Sequence, residues 1–359
     1  NLAPEDQKIL NRMWLIEFSP TKSLHQVKAD YEAVPEIEEV NLDHYVYADD
    51  AFMPNDPSLT SNQWYLRNTA TGGADLRAVG AWNQALGDSN IVVAVLDSGV
   101  DWHHPDLGGA HPDKVNGAIW TNWAEYYGNP GVDDDGNGKV DDVRGYDFVT
   151  VSSSQVYPGE DYGPADNDPM DHGGHGTHVS GCVAAITNNG IGIAGTAPGC
   201  KIMAVRIMYT NTDGDGVGLQ SYTSQGMVYA ANTGANIINL SLGPTTSYLT
   251  NAANACQNAG ILILESAGND NVENDAALYV PDYLHTRTGV LAVAATTQND
   301  SKASFSNYGT WVEISAPGVS ILSTYYSHIS GESTYTSLQG TSMSCPITAG
   351  AAALLWSAN

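Results

Sequence analysis

From Ala81 onward the chain alternates unbroken apolar runs with stretches of helical period. "IVVAVLDSG", "KIMAVRIM", "ANIINLSLG", "GILILESAGN" and "GVLAVAAT" are short and mostly apolar, and each reads as a strand buried on both faces. "GTHVSGCVAAIT" and "SQGMVYAANTG" read as helices between them, and "ITAGAAALLW" as a helix after them. Continuous apolar strands alternating with helices predict an α/β fold with a central, mostly parallel sheet covered on both faces. In such sheets the functional site lies at the carboxyl ends of the strands. That rule selects Asp97, the Ser241–Gly243 turn and the Gly268–Asn269 pair.

Residues 1–50 break this pattern. "MWLIEF" reads as a strand, "TKSLHQVKADYEAV" as a helix and "EIEEVNLDHYVYA" as a second strand. Two prolines in "MPNDPSL" then mark a boundary, dividing the chain into segments 1–50 and 51–359. The 359 residues suffice for one large domain with an appendage. Asp and Glu number 40 against 13 Lys and Arg, a formal charge of −27, which sets nucleic acid and anionic membranes aside as partners. The Asp residues are clustered, so the same excess points to cation binding. Cys182, Cys200, Cys256 and Cys345 have no zinc spacing and sit among small or apolar residues, as buried free thiols do. No run approaches the roughly 20 apolar residues of a membrane helix.

Three segments carry chemistry. Asp97 ends a buried strand, where a carboxylate needs a partner. "HGGHGTHVSG" offers His172, His175 and His178, readable as a weak metal motif, a polar helix start or a base held by Asp97. In "GTSMSCP", Pro346 fits the first turn of a helix, which puts Ser342 at or just before the helix start. There a hydroxyl suits an N-cap, and it also suits a nucleophile whose product carries a negative oxygen. Read by itself, this segment favours the cap.

Together, "VAVLDSGVDWHHPDL", "GGHGTHVSGCVAA", "NIINLSLG", "ESAGND" and "GTSMSCP" stand in the order in which subtilisin-like serine proteases carry them. The chain resembles that family over about residues 52–356, apart from an insertion at about 122–165. The likeness is greatest to the thermitase-like branch, through "PNDPSL", "TNNGIGIAGTAPG", "QNDSKASFSNYGTWVEISAPG" and "YTSLQGTSMS". The resemblance implies the subtilisin-like three-layer fold. It makes Asp97 the orienting acid, His175 the general base, Ser342 the nucleophile and Asn269 the side-chain donor of the oxyanion hole. Ser241, Leu242 and Gly243, with Ser266, Ala267 and Gly268, match the segments flanking the primary specificity pocket. It further implies a secreted enzyme acting on proteins or peptides. Residues 1–50 resemble the latter βαβ part, α+β in type, of the inhibitory propeptide, which folds and inhibits its own enzyme. Glu265 departs from the family's small residue, with either a basic-substrate preference or pairing elsewhere as its meaning, and Ile347 replaces a histidine. The sequence ends 17 residues after Ser342, short of the family's usual extent, and reads as a partial precursor. The rival reading is an inactive fold of this family used as a calcium-binding module.

For cations, Asp133, Asp135, Asn137, Lys139 and Asp141 fall at the first, third, fifth, seventh and ninth places of an EF-hand-like loop. Arg144 holds the twelfth place, so a complete EF-hand is excluded, while a shorter calcium loop using Asp142 fits, with a solvated acidic turn as the alternative. The resemblance implies a second Ca2+ site from Asp56, Asp106 and Asn189, with the carbonyls of Ile191 and Ile193. Asp166, Asp168 and Asp171 form a further acidic run that offers a third.

Overall fold

A computed structural model of the chain describes residues 24–37, 40, 52–69, 74–108, 117–273 and 284–358. It forms two compact units, Asn1–Asp49 and Asp50–Asn359. In the first, helix α1 (Leu24–Glu32) falls within the helix expected there, with Lys28 and Glu32 paired one turn apart. The two strands expected around it lie almost wholly outside the described residues.

The second unit is built on seven strands, β1 (Val92–Asp97), β2 (Gly145–Asp147), β3 (Lys201–Arg206), β6 (Ile237–Leu240), β7 (Leu262–Ser266), β8 (Val290–Thr296) and β9 (Ile314–Pro317). Their order is β2-β3-β1-β6-β7-β8-β9, and every pairing is parallel. Two hairpins lie outside this sheet, β4–β5 (Met208–Thr210, Gly216–Gly218) and β10–β11 (Ile321–Ser327, Glu332–Leu338). Among the described residues the α-helices of this unit are α2 (Ala78–Trp82), α3 (Trp123–Tyr126), α4 (His175–Ala184), α5 (Gln220–Asn232), α6 (Thr250–Asn258) and α7 (Thr341–Ser357).

The apolar strands are buried on both faces, so their side chains divide by parity between two cores. Val93 and Val95 join one core with Val179 and Val183 of α4 and Met343 and Ile347 of α7. Val92, Ala94 and Leu96 join the other, with Met227 and Ala230 of α5 and Ala252 and Cys256 of α6. Asp97 follows the parity of Val93 and Val95, so it points to the face that carries α4 and α7. The sheet reverses its winding at β1 and β6, and the carboxyl ends of those strands are where such folds place their sites.

The insertion is anchored to this sheet. Arg206, fully buried at the end of β3, binds Asp147 of β2, Glu160 Oε1 at 2.6 Å and the Asp161 carbonyl at 2.7 Å. Among the described residues no helix is long and apolar enough to cross a membrane. All four cysteines are free and buried.

Candidate active site

The end of β1 and the start of α4 meet directly. His175 Nδ1 lies 2.8 Å from Asp97 Oδ1, which also accepts the Ser98 N–H at 2.7 Å. Asp97 is fully buried, whereas the His175 side chain keeps 36% of its exposure. Partial desolvation works against the charged imidazole, but the Asp97 charge and hydrogen bond outweigh it and hold the His175 pKa above its ordinary value. Gly176 permits the close approach, because a Cβ there would lie 2.1 Å from the Gly99 carbonyl oxygen and 3.1 Å from Asp97 Cβ. The structure separates the other two histidines from this pair. His178 is buried, with Nε2 3.0 Å from the Ile321 carbonyl and its pKa pushed down to about 3 by burial. His172 is half-buried and packs edge-on to Tyr326.

The ends of β6 and β7 meet the start of α7. Helix α7 begins at Thr341, so Ser342 is its second residue and Pro346 lies in its second turn, not the first as the sequence rule places it. A proline there has no N–H to give the Ser342 carbonyl. Ser241 Oγ donates to that carbonyl instead, at 2.9 Å, and itself accepts from Asn239 Nδ2 at 2.9 Å. Asn269 Oδ1 accepts from the Thr341 N–H at 2.9 Å and the Thr341 hydroxyl at 3.1 Å. These bonds fix the sense of the amide, which leaves Nδ2 as its outward donor. A Cβ on Gly340 would lie 3.6 Å from both amide atoms of Asn269 and from the Ser342 nitrogen, so the glycine keeps the space between them open. Among the described residues neither His175 Nε2 nor Ser342 Oγ has a hydrogen-bond partner. Bonds of this kind commonly close only when substrate is bound.

The two candidate substrate segments adjoin one another, with Ser266 Oγ donating to the Leu242 carbonyl at 3.1 Å. Ser241, Ser266 and Ala267 are buried, Leu242 and Gly268 are half-buried, and Gly243 is exposed. Glu265 is buried on the parity of Ile263, and its Oε1 accepts from Thr245 Oγ1 at 2.9 Å, which is the pairing alternative. Asn307 is a contributor the sequence reading missed. Its Oδ1 accepts the N–H groups of Asp270 and Val272, and its Nδ2 donates to the Ala267 carbonyl at 2.9 Å, so it shapes the loop bearing Asn269. Nothing local in "SFSNYG" signals that role.

Most of the candidate cation residues fall into two groups, while Asp166 of the third acidic run has a carboxylate oxygen within 4.8 Å of those of Asp147 and Asp161. Asp56 and Asp106 are both buried, and Asp106 accepts from Asn189 Nδ2 at 2.7 Å, the Ile193 N–H at 2.8 Å and Tyr335 OH at 3.2 Å. Asp56 accepts the N–H groups of Asn188 and Asn189, and Asn189 Oδ1 accepts that of Ile191. Burial raises the Asp106 pKa to about 6, with the Asp56 charge adding to the rise. Two buried carboxylates whose charges act on one another, with the amide oxygen of Asn189 beside them, are oxygens of the kind a hard divalent cation takes, so these residues fit calcium.

In the insertion loop, carboxylate oxygens of Glu125, Asp135 and Asp142 lie within 4.8 Å of one another, and this set also fits. Burial raises the Asp142 pKa to about 6. Asp133 instead folds the loop, accepting the N–H groups of Gly136, Asn137 and Gly138, and Asp141 accepts that of Gly131. Asn137 bonds Asp135 and Asp142, and Lys139 lies 4.1 Å over the Tyr146 ring. Glu125 escaped the sequence reading because it lies outside the acidic run, in "NWAEYYG".

A buried Asp–His pair, a serine at a helix start and an amide beside an open gap are the kinds of group that acyl transfer uses. A profile of the subtilase family matches residues 88–359. Thermitase of Thermoactinomyces vulgaris is 38% identical over 306 residues, covering 85% of this chain and 85% of thermitase. The thermophilic serine proteinase of Bacillus sp. strain AK1 is 39% identical over 85% of this chain, and the extracellular protease of Xanthomonas campestris pv. campestris 35% identical over 93%. The chain spans only 60% and 53% of those two relatives. A solved protease structure from Pseudoalteromonas arctica PAMC 21717 superimposes with a TM-score of 0.64 at 32% identity, covering 84% of this chain and 86% of its own. The chain belongs to the subtilase family of serine endopeptidases.

Proposed function

We propose that the chain is a secreted, calcium-stabilised endopeptidase in which Asp97, His175 and Ser342 form the catalytic triad. Asn269 Nδ2 and the Ser342 N–H form the oxyanion hole. The observation that carries the reading is the 2.8 Å Asp97–His175 pair on the sheet face that also bears the open start of α7. Asp97 holds the proton of His175 on Nδ1, so Nε2 presents a lone pair. Ser342 Oγ attacks the peptide carbonyl and passes its proton to Nε2. The carbonyl oxygen becomes negative in the gap beside Gly340, between the two donors. His175 then protonates the leaving amine, and water repeats the sequence in reverse on the acyl-enzyme.

An extended substrate lies along Ser241–Gly243 and Ser266–Gly268, bound largely through its backbone. Residues 1–50 act as the latter part of an inhibitory propeptide, a reading supported by resemblance alone. Secretion is supported by the likeness to a relative named as extracellular. Labelling with a fluorophosphonate tests the triad, because only an activated serine reacts. Wild-type chain should label and hydrolyse casein, and Ser342→Ala should do neither. Labelling of Ser342→Ala at the wild-type rate would sink the assignment.

Asp56, Asp106 and Asn189, and separately Glu125, Asp135 and Asp142, would hold calcium, which would neutralise buried carboxylates and stabilise the fold. A cation at a hundred times its dissociation constant adds about 2.7 kcal/mol to stability. The Ser342→Ala protein should therefore melt at a clearly lower temperature in EGTA than in calcium, and Asp106→Ala should reproduce part of that loss. Equal melting temperatures in the two buffers would remove calcium from the reading.

A further inference from the structure

The turn that carries His175 is folded around a carboxylate other than Asp97. Asp171 is completely buried. Its Oδ1 accepts from Ser98 Oγ at 2.9 Å and from the N–H groups of Gly173 and Gly174 at 2.9 and 2.8 Å. Its Oδ2 accepts from the N–H and the hydroxyl of Thr177 at 2.8 and 2.6 Å. A carboxylate offers about four lone-pair sites, so these five donors saturate it. That removes Asp171 from the acidic run read as a third cation site.

The network reaches the Asp97–His175 pair from both sides. Ser98, the residue after Asp97, donates to Asp171 and accepts the Gly176 N–H at 2.9 Å, one residue beyond His175. Thr177 donates to Asp171, and its hydroxyl accepts the Asp101 N–H at 2.8 Å. The backbone on either side of His175 and the backbone after Asp97 are thus tied to one buried group. Bonds to a charged acceptor are the stronger kind and are costly to leave half-made when buried.

We propose that Asp171 is a positioning residue for the general base, holding the His175 imidazole against Asp97 through Ser98 and the Gly173–Thr177 turn. The proposal rests on the reading of His175 as the base. Asp171 also adds negative charge beside the ring. Among the described residues, the other groups facing this cluster include Asp97 of β1, the buried Asp101, His178 of α4, Cys345 of α7 and Tyr325 and Tyr326 of β10. Burial keeps His178 neutral and Cys345 protonated. Removing the Asp171 charge therefore lowers the pH at which His175 gains its proton.

The test uses the full chain and a chromogenic peptide. In Asp171→Asn, turnover should fall about tenfold or more with KM within about twofold, since misplacement of a reacting group acts on the chemical step. The acid limb of the rate profile should move to lower pH, and so should the imidazole titration followed by NMR in the Ser342→Ala background. Ser98→Ala cuts the link and keeps the charge, so turnover should fall with the acid limb in place. Should Asp171→Asn fail to fold, Ser98→Ala decides the matter. A folded Asp171→Asn with wild-type turnover and an unmoved acid limb, or a Ser98→Ala with wild-type turnover, overturns the proposal. His175→Ala separates the two readings. If it keeps wild-type turnover the base assignment itself is wrong, and if it is inactive the failure belongs to Asp171 alone.

Discussion

The helices that begin at His175 and at Thr341 start alike and are finished differently. Each follows a glycine, and neither has an acidic residue in its first turn or a side-chain cap from its N-cap position. At α4 several N–H groups of the turn and first residues are used inside the protein, with those of Gly173, Gly174 and Thr177 on Asp171 and that of Gly176 on Ser98. At α7 the Thr341 N–H is taken by Asn269 and the Met343 N–H by the Gly340 carbonyl, while the Ser342 N–H faces the gap beside Gly340. A helix start is an anion site by nature. In α4 the side chain of Asp171 fills it, bonded to both sides of the turn that carries His175. In α7 the place stays open, as the proposed oxyanion hole requires.

The sharpest break of that contrast is Ser342→Ala, expected to lower turnover by about 10⁴-fold or more while the melting temperature of the calcium-loaded protein stays close to wild type. Next comes making α7 resemble α4. Asn269→Asp keeps the acceptor for Thr341 but aims a carboxylate oxygen into the gap. Turnover should fall further than in Asn269→Ala, where losing one donor costs about a hundredfold to a thousandfold. Steady-state rates with KM near wild type in both variants are the check. An Asn269→Asp enzyme faster than Asn269→Ala would show that the open helix start does not stabilise the oxyanion.

A smaller effect concerns pH. Asp97 and Asp171 raise the His175 pKa, so the imidazole stays protonated, and useless as a base, to a higher pH than an isolated histidine would. Activity should be low in acid and rise with pH through a midpoint above the ordinary value of about 6.5. A midpoint at or below that value would count against the pairing. The smallest expected effect is that of Ser241→Ala, which strands the Ser342 carbonyl. A loss of about 1 kcal/mol is expected, read as a fall of about 2 °C in melting temperature.

The sheet was legible because strands buried on both faces announce themselves as apolar runs, and five of its seven strands were read that way. β2 and β9 are short and lie among polar and glycine-rich residues. The β10–β11 hairpin, "ILSTYYSHISGESTYTSL", mixes hydroxyl and aromatic side chains with no clear period, and it was missed. Asp97, His175, Ser342 and Asn269 could be put forward as candidates because their motifs are contiguous. Asp171 was misread as a cation ligand because its meaning comes from Ser98, 73 residues away. The start of α7 was displaced for a related reason. The rule that confines proline to a first turn assumes that no other donor serves the stranded carbonyl, and Ser241 is 101 residues from Ser342.

That borrowed donor joins two things usually treated apart. Ser241 belongs to the segment proposed to line the substrate groove, and its hydroxyl holds the carbonyl of Ser342, the proposed nucleophile. Groove wall and nucleophile therefore share one frame of reference. A side chain too large for the groove, by pushing the wall outward, would drag Ser342 out of line with it. Such a substrate could still dock along its backbone and yet react slowly. The enzyme would then sort peptides by how fast it cuts them more than by how tightly it holds them.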